Sequence, residues 1–116
     1  MNTDSDCLFC KISSGVIPAD VITESNSAIA FRDIDPKAPT HVLVISREHF
    51  SDVDELTASD PNLAGELLTL AASVAKIEGL GTGYRIVTNI GQDAGQSVPH
   101  VHFHVLGGRS LAWPPG

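Results

Sequence analysis

Positive charge is scarce in this chain. Seven lysines and arginines stand against 14 aspartates and glutamates, which gives a formal net charge of −7 at pH 7. No basic run or basic face can be drawn, so the electrostatic footprint of a nucleic-acid-binding protein is missing. A small anionic ligand stays compatible with this composition, because backbone N–H groups and histidines can hold an anion without a lysine patch.

Long apolar runs are missing as well. None approaches the roughly 18–20 residues that cross a bilayer, and the segment from Met1 to Asp6 has neither the positive charge nor the apolar run of a signal peptide. We therefore expect a cytoplasmic protein without a membrane partner. A length of 116 residues with 42% hydrophobic residues predicts one globular domain over residues 1–116.

Cysteine occurs only twice, at Cys7 and Cys10, in a C-x-x-C spacing. In a cytosolic chain this spacing favours metal binding or redox chemistry over a structural disulfide. No thioredoxin-like βαβ pattern surrounds the pair, which weakens the redox interpretation. Two buried thiols without a metal remain an alternative.

The apolar periodicity predicts an α+β fold. Strand composition is found at 20–24, 28–34, 40–46, 83–89 and 99–106, and short helical turns are predicted at 9–12 and 52–56. The main helix begins with Asp60 as its N-cap and Pro61 at its first position, and it ends at Gly79. This order predicts a five-stranded antiparallel sheet with one main helix. The helix has a wide apolar surface, so it is either well buried or packed against a partner subunit.

Three of the five histidines stand in one row, at His100, His102 and His104, and alternate with Val101 and Phe103. Period two is typical of a strand, which places the imidazoles on one face. A neutral imidazole can attack phosphorus when its other ring nitrogen is held by an acceptor. A glycine-rich loop over 89–97 precedes the row and can approach a phosphate closely. The pattern predicts a nucleophile beside a phosphate loop, and exposed surface histidines are the alternative.

The His-x-His-x-His-x-x pattern resembles the histidine triad (HIT) superfamily. Gly95-Gln96-Ser97 before the row and Trp113-Pro114-Pro115-Gly116 after it are similar to the branch of histidine triad nucleotide-binding proteins. The resemblance extends back to Cys7-x-x-Cys10-Lys11-Ile12, so it covers nearly the whole chain. It departs from that branch at Pro99, Ser46 and Ala112, where an aromatic residue, a proline and a histidine are common.

This resemblance implies a homodimeric HIT-like fold that binds a purine nucleoside monophosphate. It also implies hydrolysis of a bond on the α-phosphorus, typically a phosphoramidate such as AMP linked to an amine. His102 would be the nucleophile that forms a nucleotidyl intermediate, and His104 and His41 would support the phosphate. Ser97 would contact the phosphate or the leaving group. Backbone N–H groups and histidine cations would stabilise the developing charge.

By the same resemblance, Asp33 would accept hydrogen bonds from the ribose hydroxyls, and apolar side chains would wall the base. The residues expected at the nucleotide are Leu8, Phe9, Phe31, Asp33, Ile34, Leu43, Asn89, Gly95, Gln96, Ser97, His102 and His104.

Zinc-binding bacterial relatives suggest a cofactor. Their ligand set corresponds to Cys7, Cys10, His49 and His100, which would hold one structural zinc. Two other functions stay open at this point: a nucleotide-binding interaction module with incidental catalysis, and a dinucleoside polyphosphate hydrolase.

Overall fold

The computed structural model describes residues 3–116. Met1 and Asn2, the start of the segment in which no signal peptide is expected, lie outside the described residues. The elements follow one another as α1 (Leu8–Ser13), β1 (Val21–Glu24), β2 (Ala28–Arg32), β3 (Thr40–Ser46), α2 (Val53–Ser59), α3 (Pro61–Ile77), β4 (Tyr84–Val87) and β5 (His102–Gly107), with a short 3-10 turn at Gln92–Ala94 before β5.

The strands form one five-stranded sheet in the order β1-β2-β3-β5-β4. Every neighbouring pair is antiparallel, so the predicted α+β fold with a five-stranded antiparallel sheet is confirmed. β3 is the central strand, and all of its residues are buried. The strand with the histidine row lies directly beside it.

Alternation along the strands divides the core between the two faces of the sheet. Val42, Val44, Phe103 and Val105 belong to the larger core cluster, which also holds the apolar stripe of α3. The intervening side chains of β2 and β3 face the opposite side, where they pack with α1 in a smaller cluster. His102 and His104 alternate with Phe103 and Val105, so the triad shares the α1 face.

Helix α3 confirms the predicted main helix. The Asp60 carboxylate accepts a hydrogen bond from the Leu63 backbone N–H at 3.3 Å, and Pro61 occupies the first turn. Such a cap satisfies one of the donors that a helix leaves unpaired at its start. Within residues 3–116 we find no helix that combines the length and apolar character needed to cross a membrane.

Several boundaries differ from the sequence-based prediction. β2 ends at Arg32 rather than at residue 34, and α3 ends at Ile77 rather than at Gly79. The histidine strand begins at His102 rather than at residue 99, because His100 lies in a bend where its backbone N–H bonds to the carbonyl of Val98 at 2.9 Å. β4 is shorter than predicted, and α2 is a helix of seven residues rather than a single turn. In α2, Asp52 caps the first turn by accepting from the Glu55 N–H at 2.9 Å.

Candidate functional site

A cavity of about 550 Å³ lies between α1 and the sheet. Phe9 from α1 and Phe31 from β2 form part of its wall and pack edge to face, with ring centroids 5.7 Å apart. The predicted nucleotide contacts that line it are Leu8, Phe9, Phe31, Asp33, Ile34, Leu43, Ser97, His102 and His104. The cavity therefore joins an apolar chamber to two histidines of the row.

The register of the sheet explains why these residues meet. His104 on β5 lies opposite Leu43 on β3, and Leu43 lies opposite Phe31 on β2. Phe31 in turn pairs with Val21 on β1. The cavity floor is therefore one row of side chains that runs across β5, β3 and β2, from a histidine to Phe31.

Part of the cavity wall was not predicted from the sequence. Ile12, Ile17, Pro18, Ala19, Asp20, Arg32 and Val98 also line the cavity. Ile12 follows Phe9 at helical spacing on α1, a signal that was available in the sequence. The segment from Ile17 to Ala19 carries no periodicity, and only the tertiary fold brings it there.

His102 is held in one orientation. Its Nδ1–H donates to the carbonyl oxygen of His100 at 2.7 Å, and its side chain is buried, with 5% of the residue exposed. Burial lowers the pKa of His102, while the hydrogen bond to His100 and the nearby Asp33 carboxylate oppose that shift. A neutral ring with its proton on Nδ1 carries a lone pair on Nε2, the form that a nucleophile needs.

His41 and His104 form a second, separate hydrogen-bond chain. The backbone N–H of Lys37 donates to His41 Nδ1 at 3.0 Å, and His41 Nε2 lies 2.9 Å from His104 Nδ1. Because Nδ1 of His41 is an acceptor, its proton sits on Nε2 and is donated to His104 Nδ1. His104 consequently carries its own proton on Nε2, as a donor.

Histidine cations were expected here from the sequence, and the structure differs. Desolvation by burial lowers the pKa of His41, and burial together with His102 and His41 lowers the pKa of His104 to about 4. In the ligand-free protein these imidazoles are therefore neutral at pH 7. In that form they offer a bound anion N–H dipoles rather than imidazolium charge.

Asp33 completes this chain. One carboxylate oxygen accepts from the Asp35 backbone N–H at 2.9 Å, and the other lies 3.4 Å from His41 Nε2. Asp33, His41 and His104 are close enough to form a three-ligand metal cluster. The tautomer set by Lys37 argues against that use, since it places a proton on the His41 nitrogen that faces the other two groups.

The glycine-rich loop is held by one side chain. Gln96 Oε1 accepts from the Gly91 N–H at 3.0 Å, and Gln96 Nε2 donates to the carbonyls of Ser51 at 2.7 Å and Val98 at 3.1 Å. Gly91 and Gly95 adopt positive φ, so the turn requires residues without a Cβ at these points. Asn89, Gly95 and Gln96 lie in the segment beside the cavity rather than on its wall, and their contact with a nucleotide stays a prediction.

Four sulfur and nitrogen ligands converge on the other side of α1. Cys7 Sγ lies 3.3 Å and Cys10 Sγ 3.5 Å from His100 Nδ1. His49 Nδ1 lies 3.4 Å from Cys10 Sγ and 3.2 Å from His100 Nδ1. Both cysteines are free and buried, and the set forms a possible metal site.

His100 is prepared to serve as a ligand in that cluster. It is fully buried, and its Nε2–H donates to the Ser46 carbonyl at 2.7 Å, which leaves the lone pair on the Nδ1 that faces the cysteines. Burial lowers the pKa of His100 to about 4, and burial raises the pKa of the Cys10 thiol. A backbone carbonyl behind a ligating histidine is the usual outer support of a metal site.

Comparison with known proteins identifies a family and a similar protein. The family model described as HIT domain matches residues 14–111. An uncharacterized HIT-like protein from Synechococcus elongatus is 49% identical over 111 residues, which span 96% of this chain and 97% of that protein.

Solved structures agree. A HIT family hydrolase from Legionella pneumophila superposes with a TM-score of 0.92 at 46% identity, covering 96% of this chain and all of that one. A histidine triad nucleotide-binding protein from Candida albicans gives a TM-score of 0.81 at 30% identity, over 94% and 83% of the two chains. The fold is therefore HIT-like, and the chain belongs to the HIT domain family.

Proposed function

We propose that the protein hydrolyses nucleotidyl bonds at the α-phosphorus, with nucleoside phosphoramidates as the substrate class and His102 as the nucleophile. The observation that carries this proposal is the buried hydrogen bond from His102 Nδ1–H to the His100 carbonyl. It keeps a neutral imidazole with its Nε2 lone pair at the wall of a cavity that also has an apolar chamber.

The row across the sheet orients a nucleotide. We place the phosphate at the β5 end, beside His102, His104 and Ser97, and the purine in the apolar part, against the wall that Phe9 and Phe31 form. Asp33 lies between these ends and can accept from the ribose hydroxyls. Ile34 is fully exposed at the rim, where a bound base would cover it.

The reaction proceeds in two displacements. Nε2 of His102 forms a bond to the α-phosphorus while the phosphorus–nitrogen bond to the leaving amine breaks, and the amine takes a proton from water. The hydroxide left by that proton transfer then attacks the phosphorus, and the phosphorus–Nε2 bond breaks. Nucleoside monophosphate is released, and His102 returns to its neutral form. The N–H of His104 and the hydroxyl of Ser97 stabilise the phosphoryl oxygens without giving up their protons.

The relatives support this class of activity. The Legionella protein is described as a HIT family hydrolase and the Candida protein as a histidine triad nucleotide-binding protein. The finer choice of a phosphoramidate is ours, and it follows the resemblance of the Trp113 to Gly116 tail to that nucleotide-binding branch.

We also propose that Cys7, Cys10, His49 and His100 hold one structural zinc. Tetrahedral zinc with Zn–N near 2.0–2.1 Å and Zn–S near 2.3 Å separates its ligand atoms by roughly 3.3–3.8 Å. Four of the separations between these ligand atoms are 3.2–3.5 Å, close to that spacing. Thiolate ligands persist in a reducing compartment, which fits the expected cytoplasmic location.

A homodimer is the third part of the proposal. Leu68 and Ile77 on α3 and Tyr84 on the edge strand β4 are 45%, 56% and 41% exposed, respectively. An edge strand beside exposed apolar side chains is suited to pairing with a second copy. Sedimentation equilibrium tests this, and a Leu68→Glu variant should shift the protein toward monomer.

The decisive experiment replaces His102 by Asn. Hydrolysis of adenosine 5′-phosphoramidate should fall below detection, while AMP binding measured by calorimetry persists. Rapid acid quench of the parent enzyme should trap a protein whose mass has increased by one adenylyl group, and the variant should show none. Parent-like turnover in His102→Asn would refute the proposal. Faster cleavage of diadenosine polyphosphates than of the phosphoramidate would instead identify dinucleoside polyphosphates as the substrate class.

A further inference from the structure

Helix α1 serves two sites at once. Cys7 is its N-cap and Cys10 lies within it, and both face the ligand cluster. Leu8, Phe9 and Ile12 of the same helix line the cavity. Six residues are too few for a helix to be stable alone, so whatever anchors the cysteines also sets the position of the cavity wall.

Phe9 stands between the two sites. It is 4% exposed, and its ring lies edge-on to His100 at 5.9 Å and to His102 at 5.1 Å. One side chain thus touches a cluster ligand and the nucleophile, and it also forms a wall of the base chamber.

His100 makes a second connection through the backbone. Its ring is held by the cluster on Nδ1 and by the Ser46 carbonyl on Nε2, and its own carbonyl accepts the Nδ1–H of His102. In addition, the Nδ1 atoms of His49 and His100 lie only 3.2 Å apart. Two imidazole nitrogens at that distance are held either by a shared metal ion or by a hydrogen bond between them, so loss of a metal would change what holds the His100 ring.

We infer that metal binding at the Cys7–Cys10–His49–His100 cluster and nucleotide binding in the cavity are coupled, with Phe9 and the His100 carbonyl as the connection. This inference rests on the proposed function and on the proposed zinc. Because coupling is reciprocal, zinc raises nucleotide affinity and nucleotide raises zinc affinity by the same factor. Typical couplings span about 5–150-fold, and we expect about tenfold here.

Two measurements on the full chain test it. Calorimetry with AMP should give a dissociation constant about tenfold larger after zinc is stripped by a chelator. In the reverse experiment, zinc-loaded protein competes with a chromophoric chelator, and saturating AMP should tighten zinc retention by the same factor. If the stripped chain unfolds, as judged by circular dichroism, the reverse experiment on loaded protein decides alone.

Two core variants locate the connection. Phe9→Leu should reduce the coupling factor toward one although the protein still binds zinc. Phe103→Leu is the matched control, because Phe103 is similarly buried but faces α3, and it should keep the factor. The quantity compared is the ratio of the AMP dissociation constants without and with zinc, so a general loss of AMP affinity in Phe9→Leu does not affect the result.

The positioning of His102 has its own readout. In protein with ¹⁵N-labelled histidine, the loaded form should show His102 as the single Nδ1–H tautomer, and the stripped form should show both tautomers. AMP affinity that is equal with and without zinc, or zinc retention that AMP does not change, would overturn the inference. Loaded protein that fails to bind AMP at all would instead overturn the proposed function.

Discussion

Gly108 offers a sharp test of how the end of β5 supports the site. Its φ is +90°, and a Cβ at this position would lie 2.8 Å from Pro39 Cβ and 3.3 Å from Pro39 Cγ. The next residue, Arg109, donates to the Lys37 carbonyl at 3.0 Å. The Lys37 N–H in turn sets the tautomer of His41, so a shift of this loop reaches the His41–His104 chain.

The cost of Gly108→Ala can be worked from these contacts. A left-handed conformation costs an L-residue about 1–2 kcal/mol, and forcing a methyl group into a filled site costs about 1–3 kcal/mol. Proline cannot swing away as a flexible side chain would, so both terms apply. We expect the free energy of unfolding to fall by about 3 kcal/mol, out of the roughly 5–15 kcal/mol of an ordinary domain.

Urea denaturation of the parent and of Gly108→Ala measures this loss. Gly81→Ala is the control, since an added Cβ there meets nothing within 4 Å and the backbone is not in the left-handed region. Its stability should change by less than about 1 kcal/mol. Turnover of the phosphoramidate should also fall in Gly108→Ala, by up to about a hundredfold for a displacement near 1 Å. Equal stability of the two alanine variants would refute the reasoning.

Three further outcomes are expected. Burial lowers the pKa of His104 in the folded protein to about 4, whereas an unfolded histidine titrates near 6.5. Because the unfolded state then binds more protons, the free energy of unfolding falls as the pH drops from about 6.5 toward 4. Urea titrations at several pH values should show that the free energy of unfolding falls less steeply with pH in His104→Asn than in the parent. An identical slope would contradict the lowered pKa of His104. Metal analysis of the parent should give about one zinc per chain, and Cys7→Ser and His49→Asn should lower both the zinc content and the melting temperature. Metal-free parent protein of unchanged stability would argue against zinc. Gln96→Ala removes three contacts to backbone groups and should lower turnover about tenfold or more, whereas Gln92→Ala, an exposed change in the same loop, should leave turnover within about twofold; equal effects would remove Gln96 from its positioning role.

Two predictions from sequence depended on periodicity and were confirmed. The alternation of His102 and His104 with Phe103 and Val105 required two different faces, and the structure places the apolar pair against α3. The stripe of α3 and its cap at Asp60 were equally local signals. Local geometry determines such features, so the order of residues is sufficient to find them.

The site itself was only partly predictable. The resemblance to the HIT superfamily pointed to Cys7, Cys10, His49 and His100, and the structure brings their ligand atoms together. Nothing in the residue order indicated that burial would keep His41 and His104 neutral. Sequence likewise could not show that the Gln96 side chain would bond to backbone groups, because one of its partners, the Ser51 carbonyl, lies far away in the chain.

The residue order alone determined the strand with its histidine row and the main helix, because each depends on spacing along the chain, whereas the candidate ligands followed from the resemblance to zinc-binding relatives. The resemblance implied separate roles for the three triad histidines, and only the tertiary structure showed which buried partner holds each ring. The bend at His100 directs its ring to the cysteines, and the His100 carbonyl holds the ring of His102. The Lys37 N–H, four residues before His41, sets the tautomers of His41 and His104. These assignments depend on which nitrogen meets which buried partner, and that is a property of packing between distant segments.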